Sequence, residues 1–292
     1  MNHSRRKFIK ISGGITTGFA LSGLAGLSFF DGCEKATGLK EFGLQLYTLR
    51  DDMPKDPKGI LQQVASFGYK QIESYEGPKG MFWGMSNTEF KKYMDDLGMK
   101  IVASHSDINK DFEKKAAEAA AIGMKYLICP WLGPQKSLED FKKAADNFNK
   151  KGEICKQNGI RFAYHNHDYS FKPMDGQLPQ DVMMNGTDAS LVDFELDMYW
   201  VATAGEDIEA WLKKYKNRFR LCHVKDRSKT PGSNNGQNSV DLGTGSINWP
   251  SVLKTAKENG MQYFIVEQEY YAGTTPLKAV EANAGYMKGL KM

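Results

Sequence analysis

From Phe42 onward the chain alternates short runs of branched and aromatic residues with longer amphipathic stretches. Eight runs have strand character: 42–47 (FGLQLY), 70–74, 100–104, 125–129, 160–164, 191–196, 219–224 and 262–267. Between them, 88–97, 109–122, 137–158, 207–216, 249–259 and 276–290 repeat their apolar positions at helical spacing. Ser137, followed by Glu139 and Asp140, marks one helix start. Five glycines, Gly68, Gly98, Gly123, Gly159 and Gly260, each close a helical stretch just before a strand-like run, as left-handed C-caps do. They lie 30, 25, 36 and 101 residues apart, and the last gap holds about three units of the same size. A unit of about 30 residues is a strand plus its crossover helix. Eight such units predict a single (β/α)8 TIM barrel. An open doubly wound sheet would need a glycine-rich phosphate turn after its first strand. The chain reads Tyr47-Thr48-Leu49-Arg50-Asp51 there, and no GxGxxG or P-loop string occurs anywhere.

Composition narrows the class further. With 41% hydrophobic and 25% charged residues the chain is an ordinary globular sequence, not a disordered, collagenous or coiled-coil one. Net charge is +4, and residues 1–33 hold Arg5, Arg6, Lys7 and Lys10 against Asp31, so the body is nearly neutral. A neutral body lacks the basic field that a nucleic-acid partner requires. Ser4-Arg5-Arg6-Lys7-Phe8 followed by a weakly apolar stretch to about Phe30 has the layout of a twin-arginine export signal. Glycines at 13, 14, 18, 23 and 26 make that stretch a poor permanent membrane span. The expected organisation is a 1–33 export signal and a 34–292 catalytic barrel, placing the protein in the periplasm or lipid-anchored at a bacterial membrane. The anchor would be Cys33, which follows Gly32, although Asp31 and Phe30 fit a lipoprotein cleavage box poorly. Cys129, Cys155 and Cys222 form no CxxC pair and suggest neither a disulfide framework nor a thiolate zinc site.

Function in such a barrel sits at the C-terminal ends of the strands. All four histidines of the body fall there: His105, His165, His167 and His223. Glu73, Asp197, Lys225 and Glu267 end other strands, and buried charges need partners or a metal. His165, Asp197, His223 and Glu267 come from four consecutive strands. Their imidazoles and carboxylates suit one divalent ion of the manganese, cobalt, zinc, magnesium, nickel or iron kind, the alternative being a metal-free hydrogen-bonded network. Tyr47, Trp83, Trp131, Tyr199 and Trp200 lie at or just past strand ends, where aromatics stack on sugar rings or simply pack.

These strings together resemble the xylose isomerase-like barrel family of sugar phosphate isomerases and epimerases. The carriers are Tyr164-His165-Asn166-His167-Asp168-Tyr169, Leu196-Asp197-Met198-Tyr199-Trp200-Val201, His223-Val224-Lys225-Asp226, the Gly243–Asn248 turn and Ile265-Val266-Glu267. The resemblance spans 40–290 and implies a metal held by a carboxylate on the fifth strand, Asp197, His223 and Glu267. The fifth-strand slot departs from it, since His165 stands there. In epimerases that carboxylate is one of two acid/base groups, so its loss favours dehydration or hydration over two-base epimerisation.

The expected activity is therefore a metal-dependent isomerase/epimerase or lyase/hydratase acting on a non-phosphorylated sugar or keto-sugar through an enediolate. The competing class is an exported sugar-binding barrel without turnover. Glu267, His167 and Glu73 are the candidate acid/base groups. His105, Lys225, Trp131, Tyr47 and Trp200 are the candidate substrate contacts, and the Gly/Ser/Asn-rich segment 226–246 is a candidate lid. The export reading has a direct check. Replacing Arg5 and Arg6 by lysine should hold the precursor in the cytoplasm, because the translocase reads the arginine pair. Undiminished export of the double variant would refute it.

Overall fold

The computed structural model describes residues 39, 41–230 and 238–292. The export-signal reading, with Cys33, lies outside them. Eight parallel strands close into a barrel. They are β1 (Gly43–Gln45), β2 (Gln71–Tyr75), β3 (Lys100–His105), β4 (Tyr126–Cys129), β5 (Arg161–His165), β6 (Val192–Asp197), β7 (Phe219–Val224) and β10 (Tyr263–Val266). Each predicted strand is found within two residues of its expected bounds, except that Leu46–Leu49 forms a 3-10 turn, so Tyr47 stands beyond β1 rather than in it. β10 pairs with both β1 and β7, which abolishes sheet edges.

The predicted helices are present as α2 (Asn87–Asp96), α3 (Phe112–Ala121), α4 (Leu138–Gln157), α7 (Ile208–Lys214), α8 (Trp249–Glu258) and α9 (Pro276–Gly289). Three more, α1 (Pro57–Phe67), α5 (Pro179–Gly186) and α6 (Met198–Thr203), complete the ring. α1 carries a start signal that a moment of inspection recovers, Asp56 capping Gly59 N–H ahead of Pro57. The five cap glycines all have positive φ, from 67° at Gly98 to 101° at Gly68.

Strand periodicity sorts side chains to two faces. On β6, Val192, Phe194 and Leu196 join the apolar layer under the helices, each such side chain contributing about 2 kcal/mol on burial. Their alternates Asp193, Glu195 and Asp197 face the barrel axis and are all buried. At the N-terminal end Asp193 is neutralised by Arg161 and accepts from the Tyr126 hydroxyl at 3.0 Å. Above it Val102, Ala103, Ile128, Ala163, Leu221 and Ile265 fill the axis. The barrel thus has a closed lower half, and its polar groups gather toward the C-terminal mouth.

The loop after β7 carries the candidate lid segment 226–246. Its described parts form a ribbon, β8 (Asp226–Arg227) against β9 (Ser239–Val240), antiparallel. The Gly243–Asn248 turn is a clamp. The Asp226 carboxylate accepts from the backbone N–H groups of Gly243 at 2.9 Å, Gly245 at 3.1 Å, Ile247 at 3.3 Å and Arg227 at 2.8 Å. Those amides are therefore spent on a side chain and do not form a phosphate nest. Glycine is required at 245 because a Cβ there would lie 2.1 Å from Asp226 Oδ1 and 2.5 Å from the Arg227 carbonyl oxygen. Gly245→Ala should lower unfolding free energy by about 2–4 kcal/mol. Gly285→Ala, at a helical position with open space around the added methyl, should raise it by roughly 0.5–1 kcal/mol. Urea unfolding measures both, and a wild-type midpoint for Gly245→Ala would remove the clamp.

Candidate active site

Pairs of polar residues two apart give the mouth its chemistry, because both members of each pair point to the axis. Glu195 and Asp197 end β6, His165 ends β5 with His167 just beyond it, His223 is the penultimate residue of β7 with Lys225 just beyond it, and Glu267 and Glu269 follow β10. Asp197 is also the N-cap of α6, accepting from Trp200 N–H at 3.1 Å through Oδ1. Asn166 fixes the same backbone, exchanging hydrogen bonds of 3.2 and 3.1 Å with Asp197.

Glu195 is the lower hub. Its Oε2 lies 2.8 Å from His105 Nε2, 3.1 Å from His165 Nδ1 and 3.3 Å from His223 Nε2. Beside it Glu73 Oε1 accepts from Gln45 Nε2 at 2.7 Å and stands 2.8 Å from His223 Nε2 and 3.2 Å from His105 Nε2. An upper cluster lies toward the mouth. Glu267 Oε2 is 3.0 Å from His223 Nδ1 and 3.4 Å from Lys225 Nζ. Asp197 Oδ2 is 3.7 Å from both His165 Nε2 and His223 Nδ1, and no hydrogen-bond donor reaches it although it is buried. Lys225 is buried between the Tyr199 and Trp200 rings and bonds Glu269.

Burial works against every charge here, and the neighbours decide the outcome. Burial would raise Glu73 and Glu267, but His105 and His223 hold the first, and His223 with Lys225 the second, well below the usual carboxylate range. Glu195 is pushed up to about 8 by burial and by the Glu73 charge. Against burial, Glu73 and Glu195 raise His105 to about 9. His223 is likewise raised, by Glu195 and Glu267. His165 and His167 go the other way through burial, His167 to about 3 with help from Lys225.

A cavity of about 350 Å3 opens above these groups. His105, His165, His167, Glu267, Tyr47 and Trp131 line it. Other expected residues lie elsewhere. Glu73 is fully buried beside His105 and His223 and is not among the residues that line the cavity. Lys225 and Trp200 sit behind the wall, held by Glu267, Glu269 and His167 rather than presented to a ligand. Trp83 and Tyr199 are core residues. Glu195 was absent from the expected site, although its spacing of two from Asp197 was the available sign. Glu76, Asp107 and Glu269 also line the cavity, and no lysine or arginine does among the described residues.

Two comparisons bear on this geometry. Residues 61–291 match the xylose isomerase-like TIM barrel family. The chain belongs to that family. An inosose dehydratase from Clostridium perfringens is 30% identical over 145 residues, which span 45% of this chain and 48% of that enzyme. One from Mesomycoplasma hyopneumoniae is 25% identical over 282 residues, 86% of each chain. Among solved structures, a sugar phosphate isomerase/epimerase from Parabacteroides distasonis has 29% identity and a TM-score of 0.74, covering 85% of this chain and 97% of that one. The zinc-bound IOLI protein shares the fold at 18% identity and a TM-score of 0.69, over 85% and 98% of the two chains.

The metal that this family implies can be tested against the donors present. Two atoms each about 2.1 Å from one ion stand no more than about 4.2 Å apart. The Asp197–His165, Asp197–His223 and His223–Glu267 contacts of 3.7, 3.7 and 3.0 Å meet that limit, Asp197, His223 and Glu267 converge as one group, and the unpartnered, buried Asp197 Oδ2 is an acceptor in need of a cation. The residues fit.

Metal-free protein should show the electrostatics directly. His105 rises from 6.5 to about 9 and Glu195 from 4.5 to about 8 on folding, and His223 also rises. Raised groups stabilise the fold below their unfolded pKa and lose that contribution as pH climbs through the folded value. Above about pH 6.5 all three pull the same way. Chelator-treated protein should therefore lose thermal stability steadily from pH 6.5 to 9, and His105→Asn should flatten the slope. A flat wild-type profile in thermal denaturation would contradict the network.

Proposed function

We propose that the protein is a divalent-metal-dependent carbon–oxygen lyase of the dehydratase/hydratase type, acting on a non-phosphorylated keto-sugar or cyclic polyhydroxy ketone. The observation that carries it is the buried, unpartnered Asp197 Oδ2, which converges with His223 and Glu267 and lies 3.7 Å from His165 Nε2, Glu267 and His165 lining the cavity. The inosose dehydratase relatives and the family support the same reading. His165, Asp197, His223 and Glu267 would hold the ion, which supplies Lewis-acid stabilisation for charge developing on a carbonyl oxygen.

The chain's own groups divide the remaining work. His167 lines the cavity as a neutral imidazole, and its Nδ1 is buried without a partner. As a cavity-lining imidazole it is the group assigned to take the proton α to the carbonyl, whereas Glu267 would be a ligand of the ion and lies 3.4 Å from Lys225 Nζ. Loss of the β-hydroxyl with a proton, as water, completes an elimination. Epimerisation needs a second base on the other face; Glu73 is fully buried and does not line the cavity, and of the carboxylates that do, Glu76 is paired with Lys115 and Glu269 with Lys225. Four carboxylates and no basic side chain line the cavity among the described residues. They disfavour a phosphoryl group and suit neutral hydroxyls. Trp131 and Tyr47, 57% and 39% exposed, offer faces to a sugar ring. The proposed location is outside the cytoplasm, on the strength of the Arg5-Arg6 segment.

The test is proton exchange and water loss on a panel of inososes and keto-sugars in deuterated water, followed by NMR, with protein loaded with Mn2+ or Co2+. Asp197→Ala should lose the metal and nearly all turnover. His167→Ala should keep the metal and slow α-proton exchange by about 10²–10⁴-fold. Wild-type protein that neither binds these ions nor exchanges any substrate proton would refute the proposal.

A further inference from the structure

His165 and His223 each stand between two layers of carboxylate oxygen. His223 turns Nε2 down toward Glu73 Oε1 at 2.8 Å and Glu195 Oε2 at 3.3 Å, and Nδ1 up toward Glu267 Oε2 at 3.0 Å and Asp197 Oδ2 at 3.7 Å. His165 turns Nδ1 down to Glu195 Oε2 at 3.1 Å and Nε2 up to Asp197 Oδ2 at 3.7 Å. A neutral imidazole has one N–H and one lone pair, so the layer that takes the N–H decides what the other layer receives.

The lower layer is built to take it. Glu73 and Glu195 are fully buried, neither lines the cavity, and no backbone amide satisfies them. Their donors are imidazole nitrogens, with the Gln45 amide on Glu73 and His105 Nε2 shared at 2.8 and 3.2 Å. Once His165 and His223 donate downward, the upper layer consists of two nitrogen lone pairs, Asp197 Oδ2 and Glu267 Oε2. Lys225 reaches these oxygens only at 3.9 and 3.4 Å. Four acceptors facing one another are stable around a cation and unstable without one.

We propose, on the metal-dependent reading above, that Glu73 and Glu195 are positioning residues that fix the tautomers of His223 and His165. They hold Nε2–H on the first and Nδ1–H on the second, so that His223 Nδ1 and His165 Nε2 are delivered as ligands. Glu195 does this for His165 alone and shares His223 with Glu73, so in its ionised form it places a charge behind both imidazoles and strengthens them as ligands. The two carboxylates then act on ion affinity and ligand field and make no contact with substrate.

The experiment measures Zn2+ affinity of chelator-stripped full-length protein against a chromophoric competitor, and the visible absorption of the Co2+ form. Glu195→Gln keeps the size of the side chain and removes its charge. It should weaken Zn2+ binding by about 10–100-fold and change the Co2+ bands. Glu195→Asp, which keeps the charge, should recover most of the loss. Glu73→Gln should weaken binding through His223 alone and supplies the same test if Glu195→Gln does not fold. Asp197→Asn is the ligand control. If Asp197→Asn abolishes binding while both glutamine variants stay within about twofold of wild type with unaltered Co2+ spectra, the positioning role is overturned and the metal site stands. If wild-type protein takes up neither Zn2+ nor Co2+, the metal-dependent reading falls as well.

Discussion

The structure turns on the cost of burying carboxylates. Glu73, Glu195 and Asp197 are fully enclosed, and Glu267 nearly so, at the mouth of one barrel. An isolated carboxylate would not remain charged there, because desolvation costs several kcal/mol per ion. The imidazoles of His105, His165 and His223 and the ammonium of Lys225 are the compensation. Each lies within 4 Å of at least one of these oxygens. Removing one partner leaves a buried charge alone, which typically costs 3–5 kcal/mol. The groups therefore behave as one unit, and single substitutions should not add.

The rest of the barrel is arranged so that this unit can exist. Below it the axis is filled by the apolar side chains of Val102, Ile128, Leu221 and Ile265. Arg161 and Asp193 close that end with a bidentate pair, supported by the Ala189 and Ser190 carbonyls. Around it the apolar faces of β6 and its neighbours carry the packing. Stability and site chemistry thus rest on alternate residues of the same strands, which is why the site can be highly charged in a well-packed fold.

The architecture was legible because its signs are local. Glycine caps, helical spacing and strand runs each depend on a few adjacent residues, and all eight barrel strands lie where those signs put them. The site was half legible. Histidines and carboxylates at strand ends were found because function concentrates there, but their depth was not. Whether Glu73 reaches the cavity or lies under His223 depends on barrel shear and on the 3-10 turn at Leu46–Leu49, which no short string encodes. Glu195 was missed for the same reason, since its importance comes from His105 on a strand 90 residues away. The Gly243–Asn248 turn was recognised as a motif, yet its purpose needed Asp226 in place beside it.

Lys225 links the buried unit to the proposed chemistry. Its ammonium is held by Glu269 and Glu267 against the Tyr199 and Trp200 rings, at 4.9 and 5.2 Å from their centres. Burial opposes the charge and the carboxylates outweigh it, so Lys225 stays protonated far above neutral pH. Shared with His223, it also leaves Glu267 with little basicity. His167, packed between Trp131 and Trp200 at 4.5 and 5.2 Å, lines the cavity as a neutral imidazole. In the proposed reaction, charge stabilisation falls to the ends of β6, β7 and β10, and proton removal to the end of β5. Of the other carboxylates that line the cavity, Glu76 is paired with Lys115 at 2.6 Å and Glu269 with Lys225. Inversion at carbon requires a free base on each face of the substrate, and ion pairing of these carboxylates works against it, in the direction of the proposed elimination.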